Sequence, residues 1–285
     1  MDKSQALLDV LNLEMIDRNL YRAQNLSIGT KRVFGGQVLA QAAIAAMHSV
    51  PEDRYLHSLH GYFILPGDIE KPIVYRVAET RDGGSFSTRR VTAIQNGKDI
   101  FILASSFQLK QDGLDHQIAA PDVTQPDKLA SDYEIAKHFK ELMPEYLIRM
   151  LQEKPIEFKP VEIPDFLTPV KNTPFQHVWF KYKGKLDDDM NTHKKILAYA
   201  SDYNLLLTAL RPHEVTVHDV QLASIDHAMW FHRDFRVDEW LLYALDSPSA
   251  SNARGFTRGN IFDLEGRLIA SVVQEGLVRN KRKTK

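Results

Sequence analysis

FGGQVLAQAA (34–43) and YASDYNLLLTAL (199–210) are two apolar runs that open the same succession of segments. Gln37 in the first is followed 21 residues later by Ser58 of HSLHGYF (57–63). Asp202 in the second is followed 22 residues later by Ser224 of ASIDHAMWF (223–231). Each then leads into two strand-like runs, 72–82 and 84–96 in one case, 239–247 and 252–262 in the other. Each closes on a Gly-led hydrophobic strand, NGKDIFILASSFQ (96–108) or EGRLIASVVQEG (265–276). Solenoid repeats are roughly 20–50 residues long, so a period this long points to a duplicated domain. The second copy carries a carboxylate, Asp202, where this alignment puts an amide, Gln37, in the first.

Working outward, the periodicity predicts a short amphipathic helix at 4–16 and a helix at 36–49 that is apolar on most of its circumference and therefore buried. Alternation and β-branched content predict strands at 56–64, 72–82, 84–96 and 99–110, with turns at Pro66-Gly67-Asp68, Asp82-Gly83-Gly84 and Asn96-Gly97. Residues 111–130 read as a connection and 131–152 as a helix bent or broken at Pro144. The stretch 155–172 is Pro-rich and extended. The pattern then restarts with a strand at 176–184, a helix at 192–210 and strands at 219–231, 239–247, 252–262 and 267–279. Two copies of helix plus antiparallel meander make an α+β fold. The expected units are 1–112, a connecting segment 113–152, and 153–285.

Composition removes several function classes. The 285 residues carry a net charge of −1, so no broad electrostatic footprint for nucleic acid exists. The basic tail RNKRKTK (279–285) reads as a solvated end. With no cysteine, disulfides, thiolate metal sites and thiol nucleophiles are excluded. No run reaches the roughly 18 apolar residues of a membrane span. MDKSQALLDVLNLEMI lacks the pattern of a signal peptide, so the cytoplasm is the expected compartment. Neither a G-x-S-x-G elbow nor a Walker A, G-x-G-x-x-G or H-E-x-x-H motif occurs, and no cofactor or metal is expected.

Asp202 stands inside an apolar helical run; it is either buried with partners or set on a polar stripe facing solvent. Strict alternation through 219–231 puts Ser224, Asp226, Ala228 and Trp230 on one face and His227 on the other. His227 then cannot activate Ser224, and His227 and His232 fall on opposite faces, against a metal pair. Gln274 interrupts the apolar run IASVVQEG, either holding a water or facing outward. Arg89 and Arg90 of DGGSFSTRR, with Arg254 and Arg258 of SASNARGFTRG, occupy comparable points of the two copies. Arginines near such turns suit phosphate or carboxylate recognition, or serve as ordinary surface charge.

RVFGGQVLAQA, HSLHGYFILPGD, RDGGSFSTRRVTAIQNGKDIF, YASDYNLL, SIDHAMWFHRDF, EWLLY, SASNARGF and VVQEGLVRN together resemble the bacterial acyl-CoA thioesterase II family, over about residues 5–280. The resemblance implies a tandem double hotdog, each half a long helix wrapped by an antiparallel sheet. It implies hydrolysis of medium- to long-chain fatty acyl-CoA to fatty acid and coenzyme A. The family's catalytic Asp, Thr or Ser, and Gln map onto Asp202, Ser224 and Gln274. Ser224 keeps the hydroxyl of the threonine often found there and loses the methyl. A homodimer or homotetramer without stable membrane insertion is expected. The competing readings are a hotdog protein that binds acyl-CoA or lipid without turnover, and a hydratase, for which YASDYNLL lacks the matching histidine.

Overall fold

Small side chains let one helix be buried on every side. In the computed structural model, which describes residues 2–29, 32–139, 141, 153–163 and 170–281, the run GGQVLAQAAIAAM forms helix α2 (Gly35–Met47), buried throughout 36–46. Its counterpart α4 (Met190–Ser201) lies against it, and a Cβ on Gly36 would overlap the Tyr199 carbonyl oxygen. The two helices therefore meet backbone to backbone, a contact that only glycine permits.

Around this pair runs one antiparallel sheet. In chain order its strands are β1 (Glu14–Asp17), β2 (Leu20–Ala23), β3 (Tyr55–Phe63), β4 (Ile73–Asp82), β5 (Phe86–Gln95) and β6 (Lys98–Gln108) in the first half. The second half supplies β7 (Ile156–Pro160), β8 (Phe175–Tyr182), β9 (Val220–Ser224), β10 (Asp226–Phe231), β11 (Leu241–Ser251), β12 (Arg254–Phe262) and β13 (Leu268–Asn280). The spatial order is β1-β2-β4-β5-β6-β3-β10-β13-β12-β11-β8-β7, with β9 paired to β13. Read outward from the β3–β10 junction, both halves use the same permutation of strands. The duplication seen in the sequence is thus visible in the topology, and its members join edge to edge: Ala228 pairs with His60 and Trp230 with Ser58. One hydrophobic core, holding Leu39, Leu59, Leu197 and Met229 among others, spans both halves.

Local chemistry explains where the elements depart from the periodicity. The expected helix 4–16 stops early: α1 is Lys3–Val10, capped by Asp2, and Glu14–Asp17 turns into an edge strand, with Asn19 in the left-handed region between β1 and β2. Asn96-Gly97 makes the expected tight hairpin, both residues at positive φ. The expected helix 192–210 ends at Ser201, because Asn204 takes a positive φ and 206–210 continues as a 3-10 turn. Of the expected helix 131–152, the structure describes α3 (Asp132–His138), with a Ser131/Glu134 capping box; residues 142–152, including Pro144, lie outside the described residues. The connection 111–130 crosses the outer face of the second half, where the Trp179 indole donates to the Thr124 carbonyl at 2.9 Å. Ala120, Val123 and Leu129 pack there on Trp179, Leu242 and Phe262. The short strands β1, β2 and β7 are too brief to show a period in the sequence.

Gly36→Ala tests the helix contact. Intrinsic helix propensity favours alanine by up to about 1 kcal/mol, yet a methyl driven into a carbonyl oxygen costs about 1–3 kcal/mol. Urea unfolding is expected to show net destabilisation; a gain in stability would mean that the helices are not in backbone contact.

Candidate active site

Asp202 is the cap residue that ends α4, placing its carboxylate at the negative end of its own helix dipole. What offsets that position comes from the other half. The Gly36 amide, in the first turn of α2, donates to Asp202 Oδ2 at 2.9 Å, and the N-cap residue Phe34 offers no side chain to do so. The carboxylate thus caps the positive end of a helix from the opposite repeat. Its side chain is 7% exposed.

Gln274 approaches from β13. Its Nε2 donates to Asp202 Oδ1 at 2.8 Å and lies 3.1 Å from Ser224 Oγ and 3.3 Å from His227 Nδ1. Gln274 is fully buried, and its Oε1 is a buried acceptor with no hydrogen-bond partner. Of the two options left open by the sequence, Gln274 faces inward. Asp202, Ser224 and Gln274 are therefore brought together.

His227 belongs to the same cluster, which overturns its expected placement on the opposite face. Strict alternation fails because the strand 219–231 is two strands with a bulge between them. Ser224 pairs with Gly276 on β13, whereas Ala228 pairs with Val273, so the register slips by one residue at Ile225. The Ile225 N–H donates to the Glu275 carbonyl at 2.9 Å, and Asp226 Oδ1 accepts from the Glu275 amide at 2.6 Å, closing the bulge. One extra residue inverts the parity downstream. His227 then faces inward with Ser224, while Asp226 pairs with the exposed Tyr62 on the outer face. The ring nitrogens of His227 engage Ser201 Oγ (3.0 Å) and Gln274, not Ser224, so no Ser–His dyad forms. Burial holds the imidazole pKa down to about 4, against the opposing pull of Asp202, whose Oδ1 lies 3.9 Å from Nδ1.

The remaining candidates lie elsewhere. Gln37 sits in the first turn of α2, not at the helix C-terminus where Asp202 stands, so the two positions do not correspond. The similar spacings to Ser58 and Ser224 arise because the second copy has a 3-10 turn and β9 between its helix and β10. Gln37 is buried and satisfied, accepting from the Leu26 amide and donating to Asn25 Oδ1. Ser58 lies on the outer face opposite Trp230. Arg89, expected as a ligand-binding arginine, is buried with its donors spent on the Ser49, Arg81 and Thr88 carbonyls, Ser49 Oγ and both Asp82 oxygens. That is a correction: it pins the β4–β5 turn and has nothing left to offer a ligand. Arg90 is exposed on the outer face. Arg254 and Arg258 pair with Glu275 and Asp246 on the face of the sheet away from Gln274.

Two surface cavities of about 350 and 400 Å³ lie apart from this cluster, one around Asp132 and Lys154, the other around His193 and Arg236. In the first, Lys154 pairs with Asp132 at 2.6 Å; in the second, Arg236 pairs with Asp188 and Arg267 with Asp263. The Asp202 cluster brings a carboxylate, an amide, a hydroxyl and an imidazole together around an unpaired buried acceptor, and it is the stronger candidate. Among the described residues no group of three His, Cys, Asp or Glu side chains could hold a metal.

The depressed His227 pKa has a stability consequence. An unfolded histidine titrates near 6.5 and the folded one near 4, so as pH falls from about 6.5 to 4 the unfolded chain binds more protons and stability is lost. The shift corresponds to about 3 kcal/mol, fully retained above pH 6.5. His227→Asn is expected to flatten the decline of urea-unfolding free energy between pH 7 and 5 relative to the unaltered chain. Equal slopes would show that His227 is not buried neutral.

Along most of its length the chain is similar to known thioesterases. The acyl-CoA thioesterase model matches residues 152–277, and the acyl-CoA thioesterase N-terminal domain model matches 23–108. Acyl-CoA thioesterase 2 of Haemophilus influenzae is 39% identical over 276 residues, 96% of either chain. Human acyl-coenzyme A thioesterase 8 is 40% identical over 289 residues, covering 98% of this chain and 90% of the relative. The crystal structure of an acyl-CoA thioesterase II from Mycobacterium marinum is 41% identical, with a TM-score of 0.80 over 96% of this chain and 98% of that one. A hot dog fold protein of Alicyclobacillus acidocaldarius shares the fold at 18% identity, TM-score 0.78, with 96% of this chain and 98% of that one covered. The enzymes among these relatives are hydrolases of thioesters, and this chain belongs to the acyl-CoA thioesterase family.

Proposed function

We propose that the protein hydrolyses medium- to long-chain fatty acyl-CoA through a water activated by Asp202, Ser224 and Gln274. The supporting observation is the meeting of a buried carboxylate, an amide and a hydroxyl at one point, with Gln274 Oε1 left without a partner. One Gln274 Nε2 hydrogen goes to Asp202 and the other is shared between Ser224 Oγ and His227 Nδ1, so the Ser224 hydroxyl keeps its own hydrogen to hold a water oxygen. That water can donate to Asp202 and to Gln274 Oε1, which supplies the missing partner. Asp202 takes the proton as the oxygen attacks the thioester carbonyl. In the first turn of α2 the Gly36 N–H is engaged by Asp202 and that of Gln37 by the Phe34 carbonyl, so the Gly35 N–H, oriented by the helix dipole, is the group that suits the developing oxyanion. Collapse breaks the C–S bond. The leaving thiol has a pKa of about 8.5, taking cysteine as guide, so it departs as thiolate and recovers the proton from Asp202.

The architecture fits a tandem double hotdog with units 1–112 and 153–285 joined by 113–152, in which the second repeat holds the catalytic groups and the first supplies the helix end that faces them. A dimer or tetramer and a cytoplasmic location accompany this reading. Arg254 and Arg258, on the far face of the sheet from Gln274, and the exposed Arg90 are apart from the reacting groups.

Asp202→Asn is expected to lower kcat on a C12–C16 acyl-CoA series by about 10²–10⁴ with little change in KM. Gln37→Met removes hydrogen bonds distant from the carboxylate, so it should cost about 1–2 kcal/mol of stability and leave kcat nearly intact. If Asp202→Asn hydrolyses as fast as the unaltered chain, or if the unaltered chain binds acyl-CoA without turnover, the binding-module reading replaces this one.

A further inference from the structure

A glutamine amide can turn over, exchanging nitrogen for oxygen with almost no change of shape, so only partners that distinguish donor from acceptor fix its orientation. Around Gln274 few do. Its oxygen side is buried without a protein partner and sets nothing. Ser224 Oγ, 3.1 Å from Nε2, donates or accepts equally well. Asp202 Oδ1, 2.8 Å from Nε2, demands the nitrogen only while it is a carboxylate. Once Asp202 has taken a proton from water, it becomes a donor. An amide turned to present Oε1 would then bind the Asp202 O–H and trap the proton.

His227 is the neighbour whose demand stays constant. Ser201 Oγ donates its single hydrogen to the Ala198 carbonyl at 2.9 Å, so toward His227 Nε2 at 3.0 Å it can only accept. The proton of the neutral imidazole therefore sits on Nε2, and Nδ1, 3.3 Å from Gln274 Nε2, is an acceptor only. The ladder runs from the Ala198 carbonyl through Ser201 and His227 to Gln274, and Ala198 and Ser201 belong to the last turn of α4, immediately before Asp202. Tyr243 braces that turn by donating to the Ser201 carbonyl at 3.0 Å.

We propose that His227 is a positioning residue that holds the Gln274 amide nitrogen toward Asp202 through both protonation states of the carboxylate, so that the proton taken from water is released rather than trapped. This rests on Asp202 acting as the base. The groups facing His227 are Asp202 and Gln274, with Ser201 behind the ring. Burial keeps the ring neutral through the working range, the pKa being held down to about 4.

The test uses two substitutions and one spectrum. In His227→Phe the acceptor is lost, the turned amide stabilises protonated Asp202, and the acid limb of the kcat/KM profile is expected to move up by about one pH unit, with kcat falling about tenfold and KM little changed. In His227→Asn, Oδ1 can occupy the place of Nδ1, and the limb should return toward its original position. ¹⁵N NMR of the unaltered protein at pH 7 should show an unprotonated Nδ1 and a protonated Nε2 at His227. A protonated Nδ1 overturns the inference, as does a folded His227→Phe with an unmoved limb, or His227→Asn shifted as far as His227→Phe. Should His227→Phe fail to fold, the ring spectrum decides alone. Full activity in Asp202→Asn overturns the base assignment and this inference together, whereas the nitrogen shifts report on the ladder itself.

Discussion

Everything at the site depends on one contact between the repeats: the carboxylate of Asp202 against the first turn of α2. A carboxylate closing its own helix is electrostatically misplaced, and burial compounds the cost. The Gly36 amide and the Gln274 amide together offset that cost. The contact demands that α2 and α4 approach until a glycine meets a carbonyl oxygen. That approach requires the small-residue composition of α2, and the surrounding sheet follows from having to cover two such helices.

Much of the sheet was legible because strands announce themselves by alternation and by Asn-Gly and Gly-Gly turns. Ile73–Asp82, Phe86–Gln95 and Lys98–Gln108 fall within a residue or two of the expected spans. The short strands β1, β2 and β7 are not legible in the sequence because four or five residues carry no measurable period. The site was half legible. Asp202, Ser224 and Gln274 were reached through motif resemblance, since periodicity alone left Asp202 and Gln274 with two readings each. His227 was misassigned for one physical reason: a bulge at Ile225 leaves no mark in hydrophobic pattern, yet it reverses which side chains face inward. Arg89 illustrates the converse. An arginine beside glycines and serines looks like a ligand clamp until its five donors are traced to backbone and Asp82.

The asymmetry of the repeats also changes meaning. Comparing Gln37 with Asp202 suggested one ancestral position with two fates, but the helix ends at which they stand are opposite. The difference between the halves lies instead in the stretch from Asp202 to Ile225, where the second copy inserts a 3-10 turn and β9 between helix and central strand. That inserted chain brings Ser224 onto β13 beside Gln274, and the bulge at its end delivers His227. The half that carries Asp202, Ser224 and Gln274 is the half with more chain between helix and central strand, and the other half contributes a helix terminus.

The seam between β3 and β10 has a kinetic side. It joins Trp230 to Ser58, and Asp202 meets Gly36 across a comparable separation, so these pairings carry a large loop-closure cost and form after local hairpins have assembled. Either repeat by itself lacks part of the constellation: one has no carboxylate at the helix end, the other no amide to receive it. Under the proposed mechanism, then, neither repeat alone holds the full set, and the reacting groups meet only when the interface between the repeats has closed.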